Sequence, residues 1–285
     1  MKKLTEEINK HLEEYLKVEY PENLFKAMKY TVLLPGKRLR PIMCIEACKL
    51  FGGRKEDAMP TACAIEMYHS MTLIHDDLPC MDNDDFRRGQ PTNHKVFGEA
   101  TAVLAGDALL TYAPQIITKY SKHLGSDIIL KILEEYFQYS GAYGVIGGQV
   151  ADIESENNYP EHPEKTLDFI HTHKTADLFK MAVRCGAIIG GASDKQLEEI
   201  TDFAEKFGLA FQIADDVLDE ISTFEEMGKT LGKDKSSGKL TYVSLYGLDN
   251  AKCKLACLLD ECYDKIQKSE ILKEIIDDIK KRVGI

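Results

Sequence analysis

Apolar residues recur along the chain at the three- and four-residue spacing that places them on one face of a helix. Leu4, Ile8, Leu12 and Leu16 form the first such face. The same spacing predicts a second helix from residue 21 to about 35. It predicts further helices at 40–51, 58–78, 99–120, 127–147, 164–191 and 194–221, and two or three shorter ones after residue 238. No segment alternates apolar and polar residues for long enough to require a strand.

No linker or low-complexity stretch divides these helices, although polar loops are predicted at 82–95 and 229–238. The helix over 58–78 is nearly uncharged, so we expect it to be buried on most sides. The sequence therefore predicts a single all-α domain over residues 1–285, in which one large helical bundle surrounds a central cavity.

Composition narrows the possible partners and location. A net charge of −11 argues against a nucleic-acid partner. There is no run of about 18 apolar residues, so no integral membrane segment is expected. Residues 1–20 are charged throughout and lack the apolar stretch of a signal peptide. We expect a cytoplasmic protein whose eight cysteines, with no C-x-x-C pair, are buried or idle thiols.

Two acidic clusters stand out. Asp76, Asp77 and Asp82 lie at the C-terminal end of the most apolar predicted helix, where negative charge opposes the helix dipole. One aspartate pair at a helix end is usually solvated surface. A second cluster, however, follows another apolar run, and its Asp215 and Asp219 share one helix face at i and i+4. Two such clusters indicate carboxylates that bind a metal ion.

The ligand types indicate which metal. Oxygen ligands without nearby cysteine or histidine favour magnesium, which keeps water ligands and accepts substrate phosphates. A calcium-binding loop beginning at Asp82 is disfavoured, because Phe86 occupies the fifth position and Arg87 replaces the turn glycine.

Basic residues cluster near these acidic helix ends. Each one alone is more often a solvated charge, but arginine forks match diphosphate oxygens bidentately. Together with metal-bound carboxylates they would form a site for two diphosphates. The residues concerned are Lys37, Arg38, Arg40, Arg87, Arg88, Lys174, Lys229, Lys233 and Lys239.

The ordered series of motifs resembles the trans-isoprenyl diphosphate synthases (polyprenyl synthases), a family that includes farnesyl and geranylgeranyl diphosphate synthases. The resemblance implies the isoprenoid synthase fold, a homodimer, and condensation of isopentenyl diphosphate with dimethylallyl, geranyl or farnesyl diphosphate. The motifs are GKRLRP at 36–41, RRG at 87–89, GDALL at 106–110, GGQVAD at 147–152, HKT at 173–175, FQIADDVLD at 211–219 and GKTLGKD at 228–234.

The resemblance also implies residue roles. Asp76, Asp82 and Asp215 would bind three Mg²⁺ ions bridged by the allylic diphosphate, with Asp77 and Asp219 in support. Arg87, Lys174 and Lys229 would bind the allylic diphosphate, and Lys37, Arg40, His69 and Arg88 would bind isopentenyl diphosphate. Gln212 and Thr175 would direct dipoles at the developing cation, and Lys239 would close over the site. No general base is evident in the sequence, and the resemblance implies that the released diphosphate accepts the proton.

Product length depends on the helix that carries Asp76. Three residues rise about 4.5 Å along a helix, close to one isoprene unit. By resemblance, a bulky aromatic at the Met71 position accompanies farnesyl products, and Tyr68 is the floor for a twenty-carbon chain. Geranylgeranyl diphosphate is therefore favoured over farnesyl diphosphate. The alternative places the floor at Leu110 or Tyr112, with Tyr68 as ordinary core.

Three other functions remain open alternatives. A class I terpene cyclase shares the fold, but usually carries Asn, Ser and Glu ligands in its second motif and has no need of GKRLR and RRG. A noncatalytic subunit of a prenyl synthase usually lacks one acidic cluster. A noncatalytic helical scaffold would not explain why the chain carries two acidic clusters.

Overall fold

The computed structural model describes residues 1–221 and 239–285, and they are almost wholly helical, which confirms the predicted all-α class. A two-residue antiparallel hairpin pairs β1 (Phe86–Arg87) with β2 (Gln90–Pro91). The helices are α1 (Lys2–Tyr15), α2 (Glu22–Val32), α3 (Leu39–Leu50), α4 (Lys55–Asp76), α5 (Asn93–Phe97), α6 (Glu99–Tyr120), α7 (Ser126–Ser140), α8 (Val145–Asn157), α9 (Pro163–Ile170), α10 (Asp177–Gly190), α11 (Asp194–Ile221), α12 (Tyr242–Tyr246), α13 (Leu248–Lys265) and α14 (Glu270–Val283). A 3₁₀ turn spans Lys122–Leu124 and a π-helical turn spans His171–Ala176.

Helix α4 lies at the centre of the bundle. It packs against α3, α6 and α10, and residues all round its circumference from Ala58 to Ile74 are buried. This explains why the segment carries so few charges, since a helix covered on every side has no solvated face for them. One connected apolar core extends from Ile8 on α1 to Val283 on α14.

Three predicted boundaries were wrong. The helix over 127–147 is two helices, because the backbone at Gly141 and Gly144 leaves the helical region and α7 ends at Ser140. The segment 164–191 is α9 and α10 joined through the π-helical turn. The loop over 82–95 contains the hairpin and the start of α5.

A buried ion pair joins α4 to the segment that precedes α3. Arg38 has a left-handed backbone (φ 55°), and its Nη1 lies 2.7 Å from Oε1 of Glu66. The same guanidinium donates to Asn9 Oδ1 at 2.7 Å and to the carbonyl of Leu34 at 2.8 Å. Because neither charged side chain is more than 2% exposed, the pair fixes how the basic motif at 36–41 enters the bundle.

Among the described residues, one helix is long and apolar enough to cross a membrane by length and composition alone: α6, which has 39% of its most apolar window buried. Buried helices of globular proteins pass the same test. Helix α6 packs along α4 and α2 as a member of the bundle.

Glu66→Ala should destabilise the fold, because it leaves the Arg38 charge buried and unpaired. We expect a loss of about 3–5 kcal/mol in the free energy of unfolding, measured by urea titration. The matched control is Glu56→Ala, at an exposed position of the same helix, which should change stability by less than about 0.5 kcal/mol. Equal effects of the two variants would contradict the importance of the pair.

Candidate active site

The first acidic cluster begins where the central helix ends. Asp76 is the last residue of α4, and the backbone N–H of Asp82 donates to its carbonyl at 2.9 Å, which folds the next turn back over the helix end. Burial raises the pKa of the Asp76 carboxyl, and Lys174 partly opposes this shift, whereas the nearby Asp82 adds to it. The Asp76 and Asp82 carboxylates therefore repel each other beside an apolar core.

The next residue, Asp77, forms an ion pair with an arginine. Its Oδ1 lies 2.6 Å from Nη2 and 2.7 Å from Nε of Arg87, on the hairpin. Burial raises the pKa of Asp77 to about 6, although the guanidinium of Arg87 acts to lower it. Arg87 also lies 3.6 Å from Asp84. The structure thus joins Asp77 to Arg87, two residues to which the sequence assigned separate roles.

The second acidic cluster lies on α11. Asp215 and Asp219 are both partly exposed and lie one turn apart. The intervening Asp216 is buried and serves the fold: it accepts a hydrogen bond from Gln212 Nε2 at 3.0 Å and another from the backbone N–H of Tyr242 at 2.7 Å. The Thr175 hydroxyl donates to Gln212 Oε1 at 2.7 Å. The predicted pair Thr175 and Gln212 is therefore held in one fixed orientation.

Close backbone approach makes this arrangement possible. A Cβ at Gly208 would lie 2.4 Å from the Cα of Ala176, and a Cβ at Gly148 would lie 2.2 Å from the backbone nitrogen of Lys174. Glycine lets α11 and α8 lie directly against the π-helical turn. Such turns widen a helix locally, often at functional sites. Here the turn presents Lys174 and Thr175 to their partners.

The side chains around the first cluster fit a hard cation. Two mutually repelling carboxylates, Asp76 and Asp82, supply oxygen donors, and a divalent cation would relieve their repulsion. Over 1–221 and 239–285, no three acidic, histidine or cysteine side chains come close enough to bind a metal unaided. Magnesium suits this donor set, because it commonly takes only one or two carboxylates and completes its shell with water and substrate phosphates.

A basic cluster lies beside the acidic one. Burial lowers the pKa of Arg40 to about 10; the charge of Glu66 opposes this shift, and the charge of Arg88 adds to it. The Arg40 guanidinium stacks over the Phe179 ring at 4.5 Å, and its Nε is buried without a hydrogen-bond partner. Burial, with the charges of Arg40 and Arg88, lowers the pKa of His69 well below its usual value. Two neighbouring guanidinium groups and a buried donor without a partner indicate an anion site.

The remaining predicted basic residues differ in placement. Lys37 pairs with Asp278 on α14. Gly36 leaves room for Arg88, whose Nη1 would lie 2.7 Å from a Cβ at that position. Lys174 and Lys239 both contact Asp152 on α8, Lys239 at 3.4 Å. Lys229 and Lys233 lie outside the described residues.

The two predicted chain-length residues lie inside the bundle on α4, with Tyr68 fully buried and Met71 4% exposed. The Tyr68 hydroxyl donates to the carbonyl of Ser140 at 2.7 Å, and its ring meets Tyr136 edge-on, with the ring centroids 5.7 Å apart. Tyr136 in turn donates to the carbonyl of Leu110 at 3.2 Å. Tyr68 is thus part of a fixed aromatic pair.

Sequence reasoning gave no role to three of these residues: Asp152, Asp216 and Tyr136. Asp152 carried a detectable signal, because it lies four residues after Gly148 and so shares the helix face that meets Lys174. The bond from the Tyr242 backbone to Asp216 and the contacts of Tyr136 join distant parts of the chain and leave no local pattern.

The family model described as Polyprenyl synthetase matches residues 21–279. The chain belongs to this family. A dimethylallyltranstransferase of Fischerella ambigua (strain UTEX 1903) is 48% identical over 265 residues, which span 93% of this chain and 76% of the relative. A chloroplastic geranylgeranyl pyrophosphate synthase of Catharanthus roseus is 49% identical over 245 residues, 86% of this chain and 68% of the relative.

Among solved structures, a geranyltransferase from Helicobacter pylori, complexed with magnesium and isoprenyl diphosphate, superposes with a TM-score of 0.83 at 34% identity. The match covers 98% of this chain and 92% of that one. The predicted family and isoprenoid synthase fold are confirmed, and the chain is a prenyltransferase.

Proposed function

We propose that this chain condenses isopentenyl diphosphate with allylic diphosphates and makes geranylgeranyl diphosphate as its main product. The observation that carries the proposal is the pairing of two unlike anion sites at one end of α4. Asp76 and Asp82 form one half, where two like charges lie close together, and Arg40, with a buried donor that has no partner, forms the other. Two substrates that each carry a diphosphate would use one half each.

The allylic diphosphate would occupy the acidic half. Asp76, Asp82 and Asp215 would hold three Mg²⁺ ions, with Asp77 and Asp219 in support. The metal, when bound, neutralises the charge of the leaving diphosphate. The magnesium and isoprenyl diphosphate in the Helicobacter pylori relative support this choice of cofactor. Lys174, Arg87, Lys229 and Lys239 would add positive charge around the same group.

Isopentenyl diphosphate would occupy the basic half. Arg40 and Arg88 offer guanidinium forks for its oxygens, and the unpaired Arg40 Nε would gain a partner. His69, whose pKa is well below its usual value, is neutral at physiological pH and would serve as a hydrogen-bond donor. Lys37, which is paired with Asp278 in this structure, would release Asp278 and bind the diphosphate.

The reaction needs three bond changes. The allylic C–O bond breaks and its electron pair leaves with the diphosphate. The isopentenyl double bond then attacks the allylic cation, forming a C–C bond, and the new cation loses a proton to the released diphosphate. The oxygen of Thr175, oriented by its bond to Gln212, would stabilise the cation by its dipole. Apolar walls would keep water away from it.

Product length would be set on α4. Met71 has a flexible side chain that would rearrange beside a growing chain, whereas Tyr68 is fixed by Ser140 and Tyr136 and can act as a floor. The Catharanthus roseus relative, named a geranylgeranyl pyrophosphate synthase, supports the twenty-carbon product. Farnesyl diphosphate as the main product is the alternative.

We further propose that residues 1–285 form a single domain. We also propose that two chains form a homodimer and that the protein is cytoplasmic. The connected core from α1 to α14 supports a single domain. Exposed apolar side chains on two neighbouring helices support a dimer: Leu104 on α6, and Leu130 and Phe137, which share one face of α7. Sedimentation equilibrium should give twice the chain mass of 32.1 kDa, and a stable monomer at micromolar concentration would refute the dimer.

Activity should depend on magnesium and on both acidic clusters. Incubation with isopentenyl diphosphate and each allylic diphosphate, followed by chromatography of the dephosphorylated products, should give a twenty-carbon alcohol only when Mg²⁺ is present. Asp76→Ala or Asp215→Ala should lower kcat by about 10²–10³-fold without unfolding the chain. A near-normal rate in either variant would show that the replaced carboxylate does not bind the metal. Cyclic hydrocarbons would indicate a terpene cyclase instead.

Met71→Phe should shorten the main product by one isoprene unit, from twenty to fifteen carbons, because a bulky ring three residues from Tyr68 on α4 would stop the chain about one isoprene unit earlier. Met71→Leu is the matched control, since it conserves volume and should leave the product unchanged. The products are compared by chromatography under identical conditions. Unchanged length in Met71→Phe would place the floor elsewhere.

A further inference from the structure

Two lysines from distant parts of the chain converge on one buried carboxylate. Lys174, on the π-helical turn, and Lys239, which precedes α12, both contact the same oxygen, Oδ2 of Asp152. The Asp152 side chain is only 4% exposed. Lys239 also lies 3.3 Å from Glu156, one turn further along α8. The two ammonium groups are therefore held close to each other.

The negative charge of Asp152 compensates the positive charges of Lys174 and Lys239. Burial alone would raise the pKa of its carboxyl, but the charges of Lys174 and Lys239 outweigh burial and lower that pKa. Asp152 is therefore ionised. Without it, two ammonium groups would lie side by side in partly dehydrated surroundings, where like charges repel strongly.

The lysine pair also faces the first acidic cluster. Lys174 and Lys239 both act to lower the pKa of Asp76, so they lie within electrostatic reach of Asp76 as well as contacting Asp152. Gly148 brings α8 against the backbone of Lys174. Helix packing therefore holds Lys174 beside Asp152, and Lys239 joins the pair from the segment before α12.

We propose that Asp152 is a positioning residue, which holds Lys174 and Lys239 together as a charged clamp for the diphosphate of the allylic substrate. The identity of that substrate rests on the proposed function. A preorganised pair of donors binds more tightly than two mobile side chains, because less conformational entropy is lost on binding. Asp152 acts through the two lysines and does not touch the reacting atoms.

The clamp makes a selective prediction. Lys174 and Lys239 belong to the acidic half of the site, whereas the basic cluster is built on α3, α4 and the hairpin loop. Loss of Asp152 should therefore weaken binding of the allylic substrate and leave binding of isopentenyl diphosphate unchanged. Glu156 contacts Lys239 and its side chain is 26% exposed, so its loss should have a smaller effect of the same kind.

The test is the isosteric variant Asp152→Asn. We expect KM for the allylic diphosphate to rise about 10- to 100-fold, with KM for isopentenyl diphosphate changed by less than about threefold. The matched control is Glu154→Gln, an exposed position on the same helix, which should leave both constants unchanged. In a chain that carries Lys174→Met and Lys239→Met, adding Asp152→Asn should have little further effect.

Equal rises in both KM values, or a full Asp152→Asn effect in the chain without the two lysines, would overturn the clamp. If Asp152→Asn does not fold, Glu156→Gln provides the test. Glu156→Gln should lower the affinity for the allylic diphosphate in the wild-type chain, but not in a chain that already carries Lys239→Met. An unchanged affinity in Glu156→Gln alone overturns the proposal.

A second measurement separates the clamp from the proposed function. Calorimetric titration with inorganic pyrophosphate and Mg²⁺ reports diphosphate affinity without any reaction. A wild-type chain that yields no prenyl product would refute the proposed function. Weaker pyrophosphate binding by Asp152→Asn than by Glu154→Gln would still support the clamp, and equal binding would refute it.

Discussion

The constraint on which this structure depends is the cost of holding ionised groups at the edge of an apolar helical bundle. Transfer of an unpaired charge from water into such surroundings is strongly unfavourable. Several buried charges consequently have a partner on another element of the fold: Arg38 with Glu66, Arg87 with Asp77, and Lys174 with Asp152. These pairs fix how the helices meet at one end of α4.

Two charges are only partly compensated by other side chains, and these are the informative ones. Arg40 stacks on an aromatic ring and keeps one buried donor unpaired, and Asp76 repels its neighbour Asp82. In both places the fold maintains a charge that a ligand of opposite sign would stabilise. A pair of substrates whose diphosphates bind one to cations and one to magnesium meets both requirements, and apolar walls around them would keep a carbocation dry.

Much of the fold was predictable from the sequence, because helical periodicity and acidic helix ends are local signals. The central position of α4 followed from its lack of charge. The break at Gly141 and Gly144 was not predicted, since single glycines also occur within helices. The π-helical turn has no periodic signature. The motifs predicted roles for the site residues, but not that Asp77 binds Arg87 or that Lys37 binds Asp278, because such pairs depend on tertiary packing.

The central claim is that one chain carries two adjoining diphosphate sites with different requirements. Calorimetric titration of the wild-type chain with inorganic pyrophosphate, with and without Mg²⁺, tests it most directly. The account predicts two pyrophosphate molecules per chain with Mg²⁺ and one without it, the latter lost in Arg40→Met. A single stoichiometry that is independent of Mg²⁺ would contradict the account.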